Sequence, residues 1–152
     1  MERWFRSGLL CIATLMTGCA VGPGSSYVAP LQQPADAETI ADGIAAFVAM
    51  RLPATSSTVT LDPTPSGQAG NAVTPALAGA LRHLGFGMAE EARTAPAGVH
   101  RLRYLVTPLD NGDLVRLTLD DSAEGSRFFV RNTTGLLQSG GPFTVTQAEV
   151  AQ

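Results

Sequence analysis

The sequence predicts an α+β fold in which two helices pack on one face of a small, mostly antiparallel sheet, preceded by a flexible lipidated tether. Three observations support this prediction. The first half of the folded region repeats apolar residues at helical spacing, the second half alternates apolar and polar residues at strand spacing, and an export signal precedes both. A chain of 152 residues is long enough for one domain of ordinary size.

Residues 1–18 have the three parts of an export signal. Arg3 and Arg6 precede an apolar run over residues 8–16, and small residues follow that run. Because a membrane-crossing helix needs roughly 20 apolar residues, the shorter run predicts translocation and cleavage rather than a permanent span.

Cys19 follows the signal and is the predicted lipidation site. Residues 16–19 resemble the bacterial lipobox, in which small residues let an extended backbone enter the signal peptidase. The resemblance implies cleavage between Gly18 and Cys19, a diacylglycerol on the thiol and an N-acyl chain on the new amino terminus. The other cysteine, Cys11, lies within the signal, so the mature chain has no second thiol for a disulfide. An ordinary secretory signal with an incidental cysteine is the alternative interpretation.

Residues 19–35 are predicted to be a flexible tether because they are rich in Gly, Pro, Ser and Gln and lack apolar periodicity. A spacer of this length has a root-mean-square span of roughly 20 Å. Ala20 replaces the Asp that would signal retention in the inner membrane, so we expect an outer-membrane protein facing the periplasm. Tyr27, Val28 and Leu31 are candidate partner contacts, with a solvent-exposed spacer as the alternative.

Residues 36–134 are predicted to form the folded domain, which contains two helices. The first helix is predicted over 36–52, with Asp36 capping its start, and the second over 71–84, with Gly85 as its left-handed stop. The apolar stripes that predict these helices are Ile40, Ile44, Phe47, Val48 and Leu52 in the first, and Val73, Leu77, Leu81 and Leu84 in the second.

The strands are predicted from alternation with a period of two. They cover residues 58–62, 86–90, 99–107, 114–121 and 126–133. An Asp-Asn-Gly-Asp turn at 110–113 joins two of them into a hairpin. The pattern degrades after the domain, which predicts a loosely structured tail over 135–152 with one last strand at 143–146.

Phe128 and Phe129 are neighbours on the strand predicted over 126–133, so their side chains point to opposite faces of the sheet. One is expected to fill the core, and the exposed one is a candidate partner contact; coverage by the C-terminal tail is the alternative. Open sheet edges also offer backbone groups to another chain. These features favour assembly as the activity.

The sequence offers little for catalysis. His83 and His100 lack zinc-ligand spacing, the acidic residues around two turns lack a calcium-loop pattern, and no phosphate-binding glycine loop is present. We predict no enzymatic activity, no metal and no cofactor apart from the lipid on Cys19. The net charge of −3 and the scattered arginines, which we expect on a solvated surface, argue against direct nucleic-acid binding.

Several folding patterns of the chain resemble the conjugal transfer protein TrbH family of lipoproteins. The shared patterns are the lipobox at Cys19, the segments 52–54, 58–61 and 80–86, and the strand segments 102–104 and 114–119. The resemblance implies a membrane-anchored structural component of the type IV secretion machinery that transfers plasmid DNA. Its implied partners are other core proteins of the channel, and a ring of identical subunits is a further expectation. A stand-alone periplasmic lipoprotein that binds a small molecule or peptidoglycan is the alternative.

Overall fold

The computed structural model describes residues 25–65, 71–90 and 97–147, which fold into two α-helices and one eight-stranded sheet. The elements are β1 (Tyr27–Val28), α1 (Pro34–Ala49), a short 3₁₀ turn (Ala54–Ser56), β2 (Thr58–Leu61), α2 (Val73–His83), β3 (Gly87–Met88), β4 (Val99–Leu109), β5 (Gly112–Leu119), β6 (Ala123–Arg131), β7 (Leu137–Ser139) and β8 (Thr144–Gln147). The predicted α+β class is confirmed. The signal and Cys19 lie outside the described residues.

The curled sheet contains two pairs of short strands that lie end to end. β1 and β2 both pair with β4 in parallel, and β7 and β8 both pair with β6 in antiparallel register. The β4–β5–β6 meander is also antiparallel, which confirms the mostly antiparallel prediction. Because α1 joins β1 to β2 and α2 joins the parallel strands β2 and β3, the two helices run in the same direction.

Both helices lie on one face of the sheet and close a single core. The predicted alternation is confirmed on β4 and β5, whose inward side chains are buried. The buried residues at the centre are Leu102, Tyr104, Val106, Val115, Leu117 and Leu119 from the sheet, and Ile40, Ile44, Phe47, Val48, Val73, Leu77 and Leu81 from the helices. The Tyr104 hydroxyl lies 2.6 Å from the Thr74 hydroxyl, so the one polar group at this centre has a partner on α2.

Helix α1 begins two residues before the predicted start. Pro34 occupies its first turn, where the missing amide donor costs nothing, and the Gln33 amide donates a 3.0 Å hydrogen bond to the Asp36 carboxylate. Asp36 therefore caps the start of the helix as predicted, but from the third helical position, as part of a capping box with Gln33, and not as the N-cap residue itself. For α2, Gly85 has φ +96° and is the left-handed stop that the sequence predicts. Among the described residues, no helix has the length and hydropathy needed to cross a bilayer.

The segment before α1 is part of the sheet, so the prediction of a flexible tether up to residue 35 is wrong for residues 26–35. Ser26 donates its amide to the Pro63 carbonyl at 3.0 Å, and Ala29 donates to the Val106 carbonyl at 3.0 Å. Val28 is buried at 5% exposure. The physical reason is that β4 extends beyond β2 and leaves an edge on which β1 pairs.

The tail is ordered through residue 147, which corrects the prediction of a loose structure for that part. Leu137 and Phe143 are buried, and β7 and β8 cover the outer edge of β6. The last strand predicted at 143–146 is confirmed by β8. A Gly-Gly-Pro loop interrupts the apolar pattern between the two strands, which is why the sequence alone does not reveal β7.

Candidate partner-binding surfaces

The structure separates the five candidate contact residues. Val28 and Phe129 lie in the core at 5% and 1% exposure, which removes them from the surface that a partner reaches. Leu31 is half-buried and packs against the core. Tyr27 and Phe128 are half-buried on the sheet face opposite the helices. Gly140 lies beside the Phe128 ring, so the tail covers part of that side chain.

The outer face of the sheet carries a row of partly exposed apolar side chains. The register places Tyr27 beside Leu105, and Leu114 beside Phe128. These four side chains are half-buried. Both described helices lie on the opposite face, so this row is an apolar surface open to another molecule.

The two helices form a second surface, an open groove of about 680 Å³ on the side away from the sheet. Its walls are mainly alanines of both helices together with Gly79, and its polar residues are Glu38, Asp42 and His83. Small side chains let another helix approach closely, but the groove contains no buried polar group that would select a ligand.

A third candidate surface lies at the sheet edge formed by β8, where two half-buried arginines are stacked on aromatic rings of the core. We call this set the arginine–aromatic ladder; it consists of Arg51, Phe47, Phe143, Arg127 and Phe129. The Arg51 guanidinium lies 4.8 Å from the Phe47 ring centre, and the Phe47 and Phe143 ring centres are 5.0 Å apart. The Arg127 guanidinium lies 5.3 Å from the Phe143 ring and 5.2 Å from the Phe129 ring.

The ladder depends on how α1 crosses β6. Gly43 allows this crossing, because a Cβ at that position would lie 2.6 Å from the Phe129 ring. Arg127 shares the inward face of β6 with Phe129, since the two are separated by one residue on a strand. Phe143 immediately precedes β8. Because Ser126 pairs with Thr144 in antiparallel register, Phe143 lies at the level of Arg127.

Arg127 has no compensating charge among the described residues. Its Nε atom is buried without a hydrogen-bond acceptor, and no carboxylate of these residues lies within ion-pair distance of its guanidinium. Burial lowers the pKa of the Arg127 guanidinium for this reason. The alternation of Arg127 with the inward Phe129 indicates that its side chain also points inward. This orientation differs from the expectation that the scattered arginines lie on a solvated surface.

Arg131, on the same strand, also has a buried Nε without an acceptor, but its two terminal nitrogens are paired. It donates to both Asp36 carboxylate oxygens, at 3.2 and 2.8 Å, and to the Gly135 carbonyl at 2.7 Å. Asp113 lies 3.5 Å from the same guanidinium. The hydrogen bond with Asp36 raises the Arg131 pKa, whereas burial raises the pKa of Asp113 against the opposing charge of Arg131. The expectation of solvated arginines is therefore wrong here.

Two further charged side chains, His100 and Arg101, have structural partners. His100 Nδ1 lies 2.7 Å from the Asp120 carboxylate, which also accepts the Arg101 amide at 2.8 Å. The Arg101 side chain pairs with the buried Asp62. Across residues 25–65, 71–90 and 97–147, no group of three or more His, Cys, Asp or Glu side chains is placed to hold a metal ion.

Comparison with known proteins gives one family. A family model described as conjugal transfer protein TrbH matches residues 22–149, which includes every element of the sheet and both helices. No curated protein matches the chain, and no solved structure matches it.

Proposed function

The chain belongs to the TrbH family of conjugal transfer proteins, and from this premise we propose that it is a lipid-anchored, non-catalytic structural component of a conjugative type IV secretion apparatus. The observation that carries the proposal is the family match over residues 22–149, which begins three residues after the predicted lipidation site. Membership makes the chain a component of conjugal transfer; the anchor, the membrane and the place in the apparatus are parts of the proposal.

The anchor is Cys19, which carries a diacylglycerol and an N-acyl chain in this proposal. Each acyl chain contributes about 0.8 kcal/mol per buried methylene, so three chains hold a protein on a bilayer almost permanently. The ordered sheet supports a short connection, because Ser26 is already hydrogen-bonded to Pro63. Ser26 is seven positions after Cys19, and a fully extended chain of about seven residues spans at most about 25 Å, so in this proposal the domain is held close to the membrane.

The structural role rests on three surfaces available for contact: the outer sheet face, the helix groove and the β8 edge with its arginine–aromatic ladder. Lipid anchoring restricts such surfaces to one plane and raises their local concentration for assembly. In this proposal the protein faces the periplasm from the outer membrane and contacts other core proteins of the channel, in a ring of identical subunits. It binds no nucleic acid directly and performs no chemistry.

Replacement of the predicted lipidated cysteine tests the anchor. Cys19→Ser should abolish incorporation of radiolabelled palmitate and leave uncleaved precursor, because serine lacks the thiol that accepts the diacylglycerol. Cys11→Ser, the matched control within the signal, should be labelled and processed like wild type. The same strains report function: deletion of the gene and Cys19→Ser should both reduce plasmid transfer strongly in a mating assay, while Cys11→Ser restores it. Normal palmitate labelling of Cys19→Ser, or normal transfer by the deletion strain, would contradict the proposal.

A further inference from the structure

We propose that the β8 edge binds an extended, acidic and apolar segment of a partner protein, which pairs with the free backbone of β8 and places a carboxylate on Arg127. The inference deepens the proposed function, since it names the chemistry of one partner contact of that structural component. It rests on the geometry of the arginine–aromatic ladder and on the open strand beside it.

The strand β8 offers a backbone template. It pairs with β6 along one edge, and within the described residues its other edge has no strand partner. Its sequence alternates Thr, Val, Thr and Gln, and Val145 points to the ladder face while remaining 40% exposed. An extended peptide can add to such an edge, with main-chain hydrogen bonds providing affinity and every second side chain providing specificity.

Arg127 supplies the selective group. Its guanidinium is stacked against the rings of Phe129 and Phe143, and its buried Nε has no acceptor in the described part of the chain. The two terminal nitrogens of Arg127 are not among the buried unpaired atoms of the described residues, and a planar guanidinium can donate two parallel hydrogen bonds to a carboxylate. A carboxylate from an added strand would pair with these terminal nitrogens.

The surroundings of Arg127 favour an acidic and apolar partner. Arg51, at the other end of the ladder, also forms no ion pair among the described residues, so two cations contact different rings of one aromatic cluster. Met50, at the C-terminus of α1, is 72% exposed and provides apolar area. Edge-to-edge pairing with a second copy would bring two cationic edges together, which like-charge repulsion opposes.

A pair of synthetic peptides tests the inference with the full chain in mild detergent. The acidic probe is a fluorescein-labelled Thr-Val-Glu-Val-Glu-Val-Thr peptide, and its control replaces both Glu residues by Gln. Fluorescence polarisation should show binding of the acidic probe that is at least about tenfold tighter than that of the control, because one peptide carries the carboxylate and the other does not. Equal affinities, or binding of neither peptide, would overturn the inference.

Matched variants locate the site. Arg127→Gln should weaken binding of the acidic probe about tenfold or more, whereas Arg116→Gln, which removes an exposed arginine from the outer face of β5, should leave it unchanged. If the two variants weaken binding equally, the attraction is a general effect of positive charge, and the assignment of the site to Arg127 is wrong. The wild-type chain provides a test that does not depend on the fold of a variant: an acidic probe N-methylated at every second residue should not bind, because it lacks the amides needed to pair with β8.

Analytical sedimentation and a mating assay distinguish failure of the inference from failure of the proposed function. A dimer that forms in wild type and is lost in Arg127→Gln would assign the edge to a second copy and overturn the acidic partner. If the acidic probe does not bind while deletion of the gene abolishes plasmid transfer, the inference fails and the proposed function stands. If the probe binds with the expected dependence on Arg127 and transfer is normal in the deletion strain, the proposed function fails alone.

Discussion

At the scale of single residues, the inner face of β6 carries two half-buried arginines with opposite electrostatic situations. Arg131 is held by Asp36, Asp113 and a backbone carbonyl, whereas the only groups that hold Arg127 among the described residues are aromatic rings. A buried charge with its partners is tolerated, and a buried charge without them is costly. We therefore expect Arg131 to contribute to the stability of the fold, and in our proposal Arg127 binds a partner.

The ion pair between Asp36 and Arg131 should be needed for stability. Asp36→Asn leaves a guanidinium at 11% side-chain exposure without its main carboxylate, and we expect a loss of about 3 kcal/mol in the free energy of unfolding. Glu38→Gln, an exposed position in the same helix, should change it by less than about 0.5 kcal/mol. Urea denaturation of the two variants checks this, and equal stabilities would show that the pair contributes nothing.

Asp113 should make stability depend on pH in the opposite sense from an ordinary paired carboxylate. Because burial raises its pKa in the folded state, the folded protein holds this proton more tightly than the unfolded chain, and stability falls as pH rises from the ordinary to the raised pKa. Asp113→Asn should therefore be at least as stable as wild type at pH 7 and lose any advantage as the pH falls below the ordinary aspartate pKa. Thermal denaturation across this range measures the difference, and a clear loss of stability in Asp113→Asn at pH 7 would contradict it.

At the scale of elements, strand length decides which segments join the sheet. β4 spans Val99–Leu109, longer than β2, and β1 occupies the remaining edge. β6 likewise holds both β7 and β8. Short segments with weak sequence patterns become strands because a long neighbour supplies paired backbone groups for them.

Two glycines of one helical segment should respond in opposite ways to alanine. Gly79→Ala, inside α2 with nothing within 4 Å of the new Cβ, should stabilise the protein by up to about 1 kcal/mol through helix propensity. Gly85→Ala should destabilise it by about 1 kcal/mol, because φ +96° is unfavourable for a residue with a Cβ. Chemical denaturation compares the pair; stabilisation by both substitutions would show that the helix stop does not require glycine.

At the scale of the whole molecule, helices cover one face of the sheet, and no described helix or strand covers the other face or the outer edge of β8. The N-terminal part of the described chain enters this sheet directly through β1. In the proposed anchored state, that connection holds the domain near the bilayer and presents its uncovered surfaces to neighbouring proteins in the same plane.

The sequence by itself determined the fold class, both helices and the central hairpin, because these follow from local periodicity and turn chemistry. The apolar repeat in α1 and α2 and the alternation in β4 and β5 are each visible within a dozen residues. The resemblance of several segments to the TrbH family is confirmed by the match over residues 22–149.

Only the tertiary structure decided that the flanking segments join the sheet and which arginines are paired with carboxylates. β1 pairs with a strand 78 residues away, and Arg131 pairs with Asp36 across 95 residues, so neither contact leaves a local pattern. The position of Arg127 between two rings likewise depends on Phe143, which the loop after β7 returns to the edge of β6. Burial is a property of the assembled layers, whereas periodicity records only which side of one element faces inward.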